Sequence, residues 1–264
     1  MRRTSFTLVE LLVVIALIAF LTAILVPSLR NSREQAKTIR CGSNIRQLAL
    51  GLAAYETENE TFPPSFDDTL LESPPGGYAG DPSYDRTGWW WFNYTTHYSS
   101  KDTGRNSVIW CPSRQTEDSR LEENVLCGNY GVNQSVCKRS SGKTSHSEFI
   151  GRPLGSADIS QPGETLSVVD SGYTIVTWWH ATDTPPITLG KSTEDTAYIP
   201  GLKINAERHL RPDQEEDAIN GRHPNKAVNV GFADGHVSRN KADDLLIEKA
   251  GDHYKNLSPL WKPK

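Results

Sequence analysis

The stretch MRRTSFTLVELLVVIALIAFLTAILVPSL, Met1 to Leu29, decides what kind of molecule this is. From Leu11 to Val26 it carries no charge, and at about 1.5 Å per residue that run spans roughly 24 Å, short of a hydrocarbon core of about 30 Å. Adding Phe6 to Val9 and Pro27 to Leu29 makes the span sufficient and puts Glu10 inside it. A carboxylate at a membrane helix centre costs about 2.5 to 3.5 kcal/mol, and less near the end. No basic residue lies within a helical turn of Glu10 on either side. Arg2 and Arg3 resemble the charged region of a cleaved secretory signal, but the apolar run is longer than such signals carry and no A-x-A site follows it. A plain single-pass anchor has no use for the acid.

Outside this segment the chain is polar. The mean hydropathy of the whole is −0.52 despite the apolar start, so the bulk is a water-soluble domain rich in turns. The net charge of −4 gives no basic field, which argues against nucleic acid as a partner. A modest basic cluster, Arg30, Arg33, Lys37, Arg40 and Arg46, follows the apolar segment. It suits a solvated helix face, anionic headgroups or acidic neighbouring subunits.

Ser5-Phe6-Thr7-Leu8-Val9-Glu10, preceded by basic residues and followed by the apolar run, resembles the signal of type IV prepilins and type II secretion pseudopilins. Ser5 stands where that family usually has Gly. The resemblance implies that a prepilin peptidase cuts between Ser5 and Phe6 and N-methylates Phe6. It also implies assembly with itself and other pseudopilins in a filament, with the helix in the inner membrane and the domain outside it. Cleavage creates an ammonium at Phe6, and a carboxylate in low dielectric is favoured when a positive charge meets it. Glu10 then has a partner on its own chain or on a neighbour, where it would set axial register. Pro27 falls where pilin-like helices often carry one and removes a backbone hydrogen bond there.

From Ser28 to about Glu58 the helical pattern continues, with Cys41, Ile45, Leu48, Leu52 and Tyr55 on one stripe. Thr61-Phe62-Pro63-Pro64 ends it. The expected fold is therefore α+β, a long N-terminal helix packed on an antiparallel sheet. Its parts are a leader over 1–5, an assembly helix over 6–29, an outer helical half over 30–60 and a globular domain over 61–264. Strands are expected at Val108 to Cys111, Asn129 to Val132, Thr165 to Val169, Tyr173 to Trp179 and Ala227 to Phe232. Asp234-Gly235 signals a hairpin returning through His236-Val237-Ser238, and a short helix is expected from Ala242 to Lys249.

Arg222-His223 followed by Phe232-Ala233-Asp234-Gly235-His236 resembles the H-X9-DG signature of prepilin-like proteins of unassigned biochemistry, with a gap of ten here. Other fragments agree with it: Cys41 to Gln47, Trp110-Cys111-Pro112-Ser113, Asn129-Tyr130-Gly131-Val132-Asn133 and Ser167-Val168-Val169-Asp170-Ser171. Four cysteines in an exported domain read as a disulfide framework with three connectivities, with four reduced thiols as the competing reading. Cys127 with Cys137 is the favoured local pair, and Cys41 with Cys111 would staple helix to domain. Their spacings are not those of a zinc site. His223, Asp234 and His236 are adequate metal ligands, yet Asp before Gly is a hairpin residue and the adjacent His a turn cap, so no metal centre is assigned. The run Asp213-Gln214-Glu215-Glu216-Asp217 offers oxygens for calcium, but its spacing matches no EF-hand; a solvated acidic loop is the simpler reading, and no cofactor is expected.

No GxSxG, HExxH, P-loop or Rossmann pattern appears. The expected function is a structural subunit rather than an enzyme. The competing expectation is a membrane-anchored binding module that stacks a polysaccharide on Trp89-Trp90-Trp91-Phe92, although packing against the long helix is the commoner fate of such rings.

Overall fold

A computed structural model describes residues 7–70, 87–95, 97–98, 106–115, 124–140, 147–190 and 197–263. The expected processing pair Ser5 and Phe6 lies outside them. Helix α1, Leu8–Asn59, is continuous for 52 residues, about 78 Å at the standard rise. It runs through Pro27 without interruption, although proline leaves the Ala23 carbonyl without its helical donor. Glu60 ends it in the left-handed region at φ 59°.

The two halves of α1 have opposite fates. None of its most apolar window is buried, whereas Thr38, Cys41, Asn44, Ile45, Leu48, Ala49, Gly51 and Leu52 are. The latter is the stripe expected from sequence, and it lies on a five-stranded sheet. Tyr55, expected on the same stripe, is only partly covered. The basic cluster from Arg30 to Arg46 faces solvent, with Lys37 paired to Glu34 at 2.8 Å.

The short strands β1, Phe66–Asp67, and β2, Trp89–Trp90, pair antiparallel, and helix α2, Trp91–Tyr94, follows. The main sheet contains β3, Tyr130–Asn133; β4, Leu166–Asp170; β5, Ile175–Val176; β6, Ala227–Phe232; and β7, Val237–Lys241. Its order is β5-β3-β4-β6-β7. Helix α3, Pro212–Asn220, packs on the 3-10 turn Lys203–Glu207, and the hairpin β8, Glu248–Ala250, with β9, His253–Lys255, lies near the end.

The sheet is mixed where an antiparallel one was expected. After β4 the chain turns around the start of β3, where Tyr130 faces Asp170, and β5 pairs parallel to β3. Two glycines make the turn possible. A Cβ on Gly131 would meet the Tyr173 carbonyl at 2.5 Å, and one on Gly172 would meet the Tyr198 ring at 2.1 Å. The expected strand Tyr173 to Trp179 therefore shrinks to Ile175–Val176, and Trp178–Ala181 forms a 3-10 turn. Val108 to Cys111 is a turn, and the expected helix Ala242 to Lys249 is a 3-10 turn over Ala242–Leu245 that gives way to β8.

Close approach of β6 to α1 needs glycine as well. A Cβ on Gly231 would lie 2.9 Å from Ala49 Cβ and 2.7 Å from Val168 Cγ1. The tryptophan block goes to the core rather than to a binding face: Trp90 and Trp91 are buried and Trp89 is partly covered. Trp90 packs on Phe66 with centroids 4.4 Å apart, and Trp91 Nε1 donates to the Thr174 carbonyl at 3.0 Å. Tyr94 reaches α1, edge-on to Tyr55 at 6.0 Å.

Candidate functional site

Two places carry the chemistry, one at each end of α1. At the first, Thr7 caps the helix and Glu10 closes a capping box. Glu10 Oε2 accepts from the Thr7 amide at 2.8 Å and from its hydroxyl at 2.7 Å, while Thr7 Oγ1 accepts from the Glu10 amide at 3.3 Å. The carboxylate thus satisfies backbone donors that a helix start otherwise leaves open. Thr7, to which Glu10 Oε2 is bonded, is the residue that follows Phe6 in the sequence.

The second place lies beneath α1, where fragments scattered through the sequence meet. Thr38 and Cys41 come from the helix, Cys111 from the turn at 106–115, Tyr130 and Asp170 from β3 and β4, and His223 and Asn229 from the entry to β6 and its third residue. Asn44 Nδ2 donates to the Trp110 carbonyl at 2.9 Å and to the Tyr130 hydroxyl at 3.2 Å, and Asn129 Oδ1 accepts from the Cys111 amide at 2.9 Å. The turn bearing Cys111 is therefore fixed to helix and sheet alike.

His223 is locked on both sides. Its Nε2 lies 3.2 Å from Asp170 Oδ2, with both side chains fully buried, and its Nδ1 lies 3.2 Å from Thr38 Oγ1. Thr38 spends its hydroxyl proton on the Glu34 carbonyl at 2.8 Å, so Nδ1 must be the donor. Nε2 meets both Asp170 Oδ2 and the Asn229 side-chain amide, each at 3.2 Å, so a positive charge on the ring is one that Asp170 would balance. Burial opposes that charge, but Asp170 and Cys111 outweigh it and raise the pKa to about 9. Asp170 Oδ2 also accepts from the Asn229 amide at 2.6 Å, and these contacts hold the carboxyl below its usual range although burial works the other way. Cys111, wholly enclosed, is pushed well up by burial. For Cys41 burial also works upward, yet hydrogen bonds from Cys111, the Ser113 amide and Tyr130 bring the thiol below its ordinary value.

Arg222 anchors the neighbourhood. It pairs with Asp217 through both Nε and Nη2 and donates to the carbonyls of Gly128 at 2.7 Å, Asn129 at 2.8 Å and Ser171 at 3.0 Å. Asp217 also accepts from the Tyr198 hydroxyl at 2.8 Å. The acidic run is thus on helix α3 rather than in a loop. Gln214 and Asp217 face inward while Glu215 and Glu216 are exposed, so the oxygens considered for calcium diverge.

The other expectations divide. His223 is separated from Asp234 and His236, which form an exposed turn cap: Asp234 Oδ1 accepts from the His236 amide at 3.0 Å and contacts Nδ1 at 2.6 Å. The His236 ring stacks on Phe232 at 4.2 Å. Gly235 takes φ 87° in a three-residue loop closed by the Phe232 amide on the His236 carbonyl, a form that needs a left-handed residue. All four cysteines are buried free thiols. Cys127 and Cys137 stand at opposite ends of β3, which keeps the favoured local pair apart, whereas Cys41 and Cys111 are side by side.

Residues 1–26 match the prokaryotic N-terminal methylation motif. The motif covers the cap, Glu10 and most of the exposed half of α1. The type II secretion system core protein G of Pseudomonas aeruginosa is 29% identical over 77 residues, 28% of this chain and 54% of that protein. The Aeromonas hydrophila protein of the same name is 32% identical over 89 residues, 33% and 61% of the two chains. That of Escherichia coli K12 is 32% identical over 75 residues, 28% and 52%. The chain spans about half the length of the curated relatives it matches. No solved structure matches it.

Proposed function

We propose that this chain is a pseudopilin-like structural subunit. A prepilin peptidase cuts it between Ser5 and Phe6, the helix anchors it in the inner membrane with the domain outside, and subunits pack through α1 into a type II secretion or type IV pilus-like filament. The observation that carries this reading is the contrast along α1. The apolar half that bears the methylation motif has no cover among the described residues, and its single carboxylate is bonded to Thr7, the residue after the expected new terminus. Exposed apolar surface of that size calls for lipid or sibling helices. In the filament Glu10 meets the Phe6 ammonium of its own chain or of a neighbour.

The tryptophan block gives no support to polysaccharide binding, because Trp90 and Trp91 are core residues. Catalysis gains none from the thiol–imidazole cluster, which α1 and the sheet cover.

The test compares Glu10→Leu with Thr7→Ala in membranes containing the peptidase. Both should be processed, as intact mass will report. Glu10→Leu should lose self-cross-linking at least tenfold, whereas Thr7→Ala, which keeps the carboxylate, should retain most of it. Unchanged cross-linking in Glu10→Leu sinks the assembly role.

A further inference from the structure

Among the described residues, the Cys41 and Cys111 sulfurs and a ring nitrogen of His223 lie within 4.8 Å of one another, and all three side chains are buried. We propose that these residues form a structural site for a divalent ion of the zinc class, with two thiolates and His223 Nδ1 as ligands. The site belongs to the folded domain and does not depend on the filament reading.

The spacing suits a tetrahedral ion. Zinc–sulfur bonds of about 2.3 Å and zinc–nitrogen bonds of about 2.0 to 2.1 Å place ligand atoms roughly 3.5 to 3.8 Å apart. Side-chain rotation of about an ångström closes the cluster from its present bound. Ring orientation agrees as well. Nε2 is held by Asp170 at 3.2 Å, the carboxylate–histidine backing usual behind a metal, and Nδ1 is the nitrogen on the α1 side, beside Thr38 and one turn from Cys41. The Ser113 amide and the Tyr130 hydroxyl reach the Cys41 sulfur and would steady a thiolate.

Charge is nearly balanced. Two thiolates and a divalent ion cancel, so with a neutral imidazole the ionised Asp170 leaves the buried unit at −1; the ion displaces two thiol protons and the Nδ1 proton to solvent, and water takes the fourth, open position of the tetrahedron. Asp170 Oδ1 is buried with no hydrogen-bond partner among the described residues, which leaves this side of the cluster with an acceptor to spare. A Cys41–Cys111 disulfide is the rival use of the same sulfurs, and an oxidising compartment favours it. It gives the enclosed His223–Asp170 pair nothing to do, although such pairs are costly to bury. The three ligands come from α1, the 106–115 turn and the lead into β6. An ion here would clamp the helix to the sheet.

The full chain, extracted in detergent without chelator, is assayed by elemental analysis and native mass. About one zinc per chain is expected in the wild type, as for a structural site. His223→Gln and Cys41→Ser should each lower that at least tenfold, while Cys137→Ser, a buried thiol outside the cluster, keeps it. Alkylation in denaturant with chelator and no reductant should label all four thiols. Two wild-type results overturn the proposal, whether or not any variant folds. One is a chain lighter by two hydrogens whose cluster thiols react only after reduction. The other is four reactive thiols with no metal retained after incubation with a zinc salt.

Discussion

Replacing Arg222 with methionine is the sharpest test of how the domain is held together. The guanidinium is fully enclosed and makes a two-point pair with Asp217 plus three bonds to carbonyls. Methionine fills most of the volume but leaves Asp217 charged and buried, with the Tyr198 hydroxyl as its remaining donor. Removing one partner of a buried pair costs about 3 to 5 kcal/mol, and each orphaned carbonyl adds about 1 kcal/mol when water cannot reach it. The single change should therefore cost at least about 4 kcal/mol, a large part of a stability of about 5 to 15 kcal/mol. Arg222→Met combined with Asp217→Leu removes both charges, so it should recover about 2 kcal/mol or more of that loss. Urea unfolding of the full chain in detergent, followed by tryptophan fluorescence, measures both. A loss below about 1 kcal/mol for the single change, or a double mutant no better than the sum of the singles, would falsify the buried-pair account.

Gly231→Val should destabilise by about 1 to 3 kcal/mol through overpacking against Val168 and Ala49; thermal melts decide this, and an unaffected Tm argues against close contact of β6 with α1 and β4. Leu48→Ala, at a wholly buried position, should cost about 2 to 5 kcal/mol and expose the outer half of α1 to protease before the sheet unfolds. At the hairpin, burial raises the Asp234 pKa, but the His236 amide and ring more than offset this and hold it below its usual value. A depressed pKa stabilises the fold above the unfolded value of about 3.9, and that support is lost as pH falls through the folded one. Amide protection factors in β6 and β7, taken relative to the intrinsic rate at each pH, should fall on acidification, and Asp234→Ala should abolish that extra acid sensitivity.

Much of α1 was legible because its signals are local. The charge-free run, the Cys41-Ile45-Leu48-Leu52 stripe and the Thr61-Phe62-Pro63-Pro64 stop each lie within a few turns of chain. The β6–β7 hairpin was legible for the same reason, from the alternation of Val228, Val230 and Phe232 before Asp234-Gly235. Tyr173 to Trp179 misled because its apolar residues suit a strand, whereas the clash-limited turn at Gly172 decides where the strand begins and which neighbour it joins. The buried cluster was hidden by distance. Cys41, Cys111, Asp170 and His223 lie in four separate fragments, each noted as a motif, and no spacing rule links residues that only the sheet brings together. Asp217 and Arg222 are five apart, yet an acidic run reads as solvated until a buried guanidinium claims one member.

Among the described residues, burial of α1 begins at Thr38. A chain begun near Asn31 would keep every buried residue of the helix while discarding the greasy projecting rod, so the head should behave as a freely soluble particle once severed there. Anchorage and head stability are thus separable properties of one uninterrupted helix, and selection can retune either without disturbing the other.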